Sequence, residues 1–283
     1  MRKFLALLLA SCLAFSPLAF SASDGTYFDT DTKLMLYMDG TDASTTFTDS
    51  SASAHSVTAG GNAQIDTAQS KFGGASGLFD GTGDYLSSGN HADYDLGTGN
   101  FNIDAWIRYT GVGNTYFTVF STTDALSTEG YILFYTAPII SFRHLSGGVA
   151  NIVANKVVTF NADTWYHIMV SRSGNDFFLG WDGAVGAAAT TDADSSNSTG
   201  GGFVIGRLYI DDATPAYDTS GWIDELRVVK GTAVWTGDFT PPSAAYIPTP
   251  TTSIKTVNGL AYASVKTKNG LAMASVKNIN GLA

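Results

Sequence analysis

The sequence predicts an all-β fold, a sandwich or barrel of short strands, and three observations carry that reading. Short apolar segments recur along the chain, each bounded by Gly, Asn, Asp or Pro, which is the punctuation of sandwiches and barrels. Two segments, FNIDAWIRY at 101–109 and GWIDELRVV at 221–229, alternate with the period of two that belongs to a strand. No helical period persists, and of 25 acidic residues only Glu129 and Glu225 are glutamates. The rest are Asp, which favours turns and oxygen-ligand cation sites over helices.

The chain opens with Arg2-Lys3, the apolar run from Phe4 to Phe15, Pro17 and the small-residue segment AFSAS. That is the layout of a secretory signal peptide, too short and wrongly flanked to span a bilayer. With Ala19 at −3 and Ser21 at −1, cleavage is expected after Ser21, so residues 1–21 are read as the signal. LASC, ending at Cys12, resembles a bacterial lipobox, but the apolar run continues past it. Cys12 is the only cysteine. The exported chain is therefore expected to be free of disulfides and to depend on its core.

After the signal, KLMLYM (33–38) is a short strand leading into a Thr/Ser/Asp-rich loop with Asp39, Asp42 and Asp49. FDGTGDY reads as the turn of a hairpin. In FNIDAWIRY, Phe101, Ile103, Ala105, Ile107 and Tyr109 share one face, and Asn102, Asp104, Trp106 and Arg108 the other. YFTVFS, YILFYT, PIISFRHLS, GVANIVAN, WYHIMVSRS and NDFFLGWDGAV follow as strands, the last two joined by a tight Gly174-Asn175 turn. Residues 190–202 read as a polar surface loop. In the closing strand, Trp222, Leu226 and Val228 are expected on one face and Ile223, Glu225 and Arg227 on the other. Asp224 then falls on the apolar side, where a carboxylate must be paired, hydrogen-bonded or bound to a cation.

The segments LMLYMDG, FTDSS, KFGGASGLFDGTGDYL and WIDELR together resemble a laminin-G-like domain of the concanavalin A-like lectin/glucanase superfamily. The resemblance covers Thr32 to Tyr246 and implies a two-sheet jelly roll, here placed at residues 22–247. Family members end one hairpin with an aliphatic-Asp-Gly turn; this chain has Trp181-Asp182-Gly183 there. Beyond a linker at 248–252, residues 253–283 hold three eleven-residue units of the form S-[IV]-K-x-x-N-G-L-A-x-A, starting at Ser253, Ser264 and Ser275. Asn-Gly between short apolar runs favours a strand, a turn and a strand in each unit, and alone such units bury little.

Charge is uneven. Nine Lys/Arg against all 25 acids leave residues 22–250 at −16, while the tail has four lysines and no acid. So acidic a body repels nucleic acid and anionic lipid, and no segment after residue 21 is long and apolar enough for membrane insertion.

For chemistry, the glucanases of the superfamily carry an E-x-D-x-x-E pattern, and nothing here matches it. The G-x-S-x-G and H-E-x-x-H motifs are also missing. His91, Asp93 and Asp95 would share one side of an extended segment, a conceivable metal site that reads more simply as a solvated acidic loop. Asp192, Asp194 and Asn197 begin like a calcium loop but lack its glycine and its glutamate. A jelly roll brings its first and last strands together, so Asp39, Asp49 and Asp224 form the candidate calcium set. The alternative is that Asp224 accepts turn amides, which would lower its pKa. Of the five tryptophans, Trp181, beside a turn, is the candidate for stacking a sugar ring. These readings converge on a secreted, non-catalytic module, extracellular or periplasmic, that binds glycan or surface protein. A structural or adhesive subunit self-associating through the tail is the alternative, and a glycoside hydrolase comes third.

Overall fold

A computed structural model describes residues 27–111, 116–122, 129–146, 149–186, 202–208 and 218–248, with short pieces of the tail. The signal-like segment with Cys12, nearly all of the polar loop 190–202 and the third repeat lie outside the described residues.

The strands run β1 (Tyr27–Phe28), β2 (Thr32–Leu36), β3 (Phe47–Thr48), β4 (Ser56–Gly60), β5 (Gln64–Asp66), β6 (Ser76–Asp80), β7 (Tyr85–Ser87), β8 (Phe101–Tyr109) and β9 (Tyr116–Ser121). They continue as β10 (Gly130–Thr136), β11 (Ile139–Ser146), β12 (Val149–Val157), β13 (Trp165–Ser173), β14 (Asp176–Trp181), β15 (Ala184–Val185), β16 (Val204–Ile205) and β17 (Ser220–Lys230). One sheet has the order β15-β14-β13-β8-β17-β6-β5, with β2 also on β17; the other is β12-β11-β10-β9-β16-β7-β4-β3. This is the two-sheet antiparallel sandwich that the laminin-G-like resemblance implies. The helix among the described residues is a single 3-10 turn, Ala92–Tyr94.

Between the sheets lie Phe101, Ile103, Ala105 and Ile107 of β8, Ile223, Leu226 and Val228 of β17, and Phe117 and Val119 of β9. Each large side chain so buried contributes roughly 1.5–3 kcal/mol, and Phe101, Tyr131, Phe142 and Phe177 form a mutually packed ring cluster. The two-residue Gly174-Asn175 connection joins β13 to β14 with Ser173 opposite Asp176, and Gly174 takes the positive φ of 61° that such a turn needs.

Two local expectations are corrected. FDGTGDY is a crossover and no hairpin: β6 pairs with β5 and β17, whereas β7 pairs with β4 and β16 in the opposite sheet. Buried carboxylates fix the crossover, because Asp84 accepts the amides of Asp80 and Asn62 and Asp218 accepts that of Gly83. In β17, Trp222 does not share a face with Leu226 and Val228. The register against β8 slips between Asp224 and Arg227, a β-bulge at Glu225, whose φ is +51°. An extra residue inverts the alternation beyond it, so Trp222, Asp224 and Arg227 face outward while Ile223, Leu226 and Val228 enter the core. At the bulge β17 also changes partner, from β6 (Ser220–Ile223) to β2 (Leu226–Val229).

The outer side of β8 is buried too, which alternation alone does not predict. Residues 231–247 cross it as a strap carrying Trp235, Phe239 and Tyr246, with the Trp235 and Phe239 rings stacked at 4.3 Å. The strap is clamped at Gly183, whose carbonyl accepts the Phe239 amide. A Cβ at Gly183 would come within 2.3 Å of the Phe239 carbonyl oxygen.

The chain divides after Ile247. In the second unit, Thr256–Val257 pairs with Leu260–Ala261 and, eleven residues on, Thr267–Lys268 pairs with Leu271–Ala272 in the same register.

Candidate functional site

The strap roofs only part of the outer face of its sheet. Under it, Asp104 is fully buried and holds Arg227 (3.0 Å), Asn102 (2.6 Å), His167 (3.4 Å) and the Tyr246 hydroxyl. Lys71 and Phe72 close the edge of this region: the Lys71 ammonium sits 3.7 Å over the Trp106 ring, and Phe72 packs edge-on to it at 5.9 Å.

Beyond that edge the same face is open. The pairing registers place Trp165 of β13, Arg108 of β8, Trp222 of β17, Leu78 of β6 and Gln64 of β5 in one transverse row. All five point away from the core and are partly exposed. The Trp222 indole N–H donates to Asp66 Oδ2 at 2.6 Å, which fixes the ring. The Arg108 guanidinium lies 5.3 Å from the Trp222 ring and donates to the carbonyl and carboxylate of Asp163. Two indoles on alternate strands stand about 10 Å apart, with a cation between them that Asp163 holds and the Asp66 carboxylate beside Trp222. Flat apolar rings among fixed donors and acceptors suit a ligand that has apolar ring faces and a rim of hydroxyls.

Trp181 is not on this surface. It is buried, stacked on Tyr166 at 4.8 Å and edge-on to Phe160 at 5.1 Å, because its β14 position alternates inward. Trp106 and Trp235 are likewise buried, so Trp165 and Trp222 are the tryptophans with surface to offer. Sequence alternation already assigns Arg108 to the non-core face, but the side-by-side placement of Trp165, Arg108 and Trp222 exists only in the register.

The structure brings together two of the three aspartates of the calcium set. Asp39 lies within electrostatic reach of Asp224, whereas Asp49 turns elsewhere, where its carboxylate accepts the amides of Met35, Ser51 and His55 and the Ser51 hydroxyl. With those lone pairs engaged, Asp49 has little left for a cation. Asp224 accepts the turn amides of Lys71 and Phe72 and that of Glu225, as the hydrogen-bonded alternative expects. Its pKa nevertheless moves up, to about 7, because burial and the Asp39 charge outweigh the amides. Glu225 is pushed to about 8 by burial and by the charges of Asp224, Asp39 and Asp104. Its Oε2 accepts the Tyr246 amide, and its Oε1 is buried with no hydrogen-bond partner among the described residues.

His91 and Asp93 do come together, though with His55 in the place of Asp95. Among the described residues these three are the His, Cys, Asp or Glu side chains whose donor atoms gather within 4.8 Å of one another.

No curated protein sequence matches the chain. Among solved structures, the binding domain of botulinum neurotoxin serotype D superposes with a TM-score of 0.54 at 14% identity, over 72% of this chain and 49% of that one. The binding domain of Paraclostridial Mosquitocidal Protein 1 gives 0.54 at 10% identity, over 72% and 50%. This chain thus spans about half the length of these toxin domains. Domain 4 of AbnA, a GH43 extracellular arabinanase from Geobacillus stearothermophilus, gives 0.53 at 16% identity, over 75% of this chain and 95% of that one. At such identities the likeness establishes the jelly-roll fold. The family model described as Concanavalin A-like lectin/glucanases superfamily matches residues 80–234, more than half of the chain, which is therefore a laminin-G-like member of that superfamily.

Proposed function

We propose that this protein is a secreted, non-catalytic module that binds glycan through the open half of its outer face. The observation that carries the reading is the pair Trp165 and Trp222 flanking Arg108 in one transverse row. Two structural neighbours add support: the arabinanase domain was solved in complex with arabinotriose, and the cell entry of botulinum neurotoxin type C, whose structure superposes with a TM-score of 0.53 at 14% identity over 72% of this chain and 49% of that one, is described as dependent on two ganglioside molecules. A non-catalytic role fits the position of Glu225, one of the two glutamates, beneath the strap with one oxygen tied to a backbone amide.

The test is a glycan array that includes arabinan oligosaccharides and gangliosides, followed by titration of the best ligand. Trp222→Ala and Trp165→Ala are each expected to weaken binding at least about tenfold, or about 1.4 kcal/mol. Trp181→Ala is expected to act through stability, by roughly 3–5 kcal/mol, as a buried aromatic does. Affinity unchanged in both surface variants would remove the site from this face.

A second reading, self-association through the tail, is favoured by the two short hairpins repeated in one register. A two-stranded ribbon has open edges, the tail is basic and the body acidic. The full chain is expected to associate at low salt and to dissociate as salt screens this attraction over about 8 Å, while a chain ending at Pro250 stays monomeric. Sedimentation of both at two salt concentrations checks it, and two monomers throughout would leave the tail without this role.

A further inference from the structure

The triad His55, His91 and Asp93 has no part in the glycan reading, and its chemistry is distinct. His55 follows β3, while His91 and Asp93 belong to the 3-10 turn after β7. The fold thus draws two loops together. His55 Nε2 lies 2.9 Å and His91 Nδ1 3.7 Å from the same oxygen, Asp93 Oδ2, and the two imidazole rings are 4.1 Å apart. Zinc bonds of about 2.0–2.2 Å in a tetrahedral site put neighbouring donors about 3.4 Å apart. The observed pair of distances brackets that value, all three donor atoms lie within 4.8 Å of one another, and an ion would take the place of the long 3.4 Å hydrogen bond that His91 Nδ1 accepts from the Asp93 amide.

The support around the donors is already in place. The Ser53 hydroxyl donates to Asp93 Oδ2 at 2.8 Å. The backbone amide of His55 is held by Asp49 at 2.8 Å, and buried Tyr94 packs against both imidazoles at 5.2 and 6.4 Å. Outer partners of this kind orient ligands and account for much of a site's affinity. The His55 side chain is 7% exposed and that of His91 52%, so one ligand is fixed and the other faces solvent, the route by which an ion and a completing water would enter.

We propose that His55, His91 and Asp93 bind one divalent transition-metal ion, of the zinc class, as a clasp between the β3–β4 loop and the 3-10 turn. Two imidazoles and one carboxylate select zinc, nickel or copper over calcium and magnesium, which prefer oxygen alone. The other two histidines, His144 and His167, are buried and offer no competing surface site.

The experiment uses the full chain and zinc chloride as the probe, with calorimetry for stoichiometry and melting temperature in zinc against chelator. One zinc per chain is expected, with a higher melting temperature in zinc and no comparable response to calcium or magnesium. His91→Ala, at an exposed position, is expected to melt like the parent in chelator and to bind zinc at least about tenfold more weakly. Asp93→Asn is expected to lose affinity as well. Absence of zinc binding, or binding that neither variant weakens, overturns the proposal. Because Trp165, Arg108 and Trp222 are untouched, glycan affinity in His91→Ala is expected to stay unchanged, which separates this result from the fate of the glycan reading.

Discussion

Asp104→Ala is expected to destabilise the protein by about 3–5 kcal/mol, the usual cost of leaving one member of a buried ion pair without its partner. Asp104 and Arg227 are both about 1% exposed, and the guanidinium meets Asp104 Oδ1 at 3.0 Å. The carboxylate also organises Asn102, His167 and Tyr246, and through Tyr246 it fastens the end of the strap. Against a total stability of about 5–15 kcal/mol, the loss is a large fraction. Calorimetric melting should show a drop of roughly 10 °C or more. The double variant Asp104→Leu/Arg227→Met should recover much of it, since apolar replacement of both partners is often near neutral. A single variant melting within a degree or two of the parent would show that the strap is held by packing alone.

In chelator, the protein is expected to lose several kcal/mol of stability between pH 4 and pH 8. Asp224 and Glu225 have folded pKa values near 7 and 8, above the ordinary 3.8 and 4.5, chiefly because burial disfavours the charged form. A carboxyl whose pKa is raised on folding favours the folded state while protonated. Its contribution is therefore complete below about pH 4 and is lost as pH rises through 7 and 8. Each pH unit of displacement is worth about 1.4 kcal/mol. Asp104 works in the opposite direction: burial would raise its pKa, but Arg227, His167 and Tyr246 hold it below the usual carboxylate range. Its contribution is present above the unfolded value and is lost only under stronger acid, so maximal stability is expected on the acidic side of neutral. Denaturant titrations at pH 5, 6.5 and 8 measure the fall. Glu225→Gln, which keeps an oxygen for the Tyr246 amide, should flatten it. A parent profile that is level from pH 5 to 8, or a Glu225→Gln profile that runs parallel to it, would count against the assignment. Millimolar calcium at pH 8 gives a direct check on Asp39 and Asp224 as cation ligands, because a bound cation would restore the lost stability.

The strands and the identity of the core were legible in the sequence because both follow from local rules. The period-two pattern of Phe101–Tyr109 assigned its inner residues, and each punctuated apolar segment from YFTVFS to NDFFLGWDGAV became a strand. The motifs from LMLYMDG through KFGGASGLFDGTGDYL to WIDELR pointed to the superfamily whose family model matches residues 80–234. Three things were decided only by the tertiary structure, each for a non-local reason. The bulge at Glu225 inverted the faces of β17, because the strand changes partner there. The strap buried Asp104, Trp106 and Arg227, polar or exposed by pattern, because 231–247 folds back across β8 and β17. The two candidate sites likewise depend on contacts the chain order hides. Arg108 lies between Trp165 and Trp222 by strand register, and His55 reaches Asp93, 38 residues on, where two loops meet. Alternation fixes which way a side chain points, whereas its neighbour across the sheet is set by pairing between segments far apart in the chain.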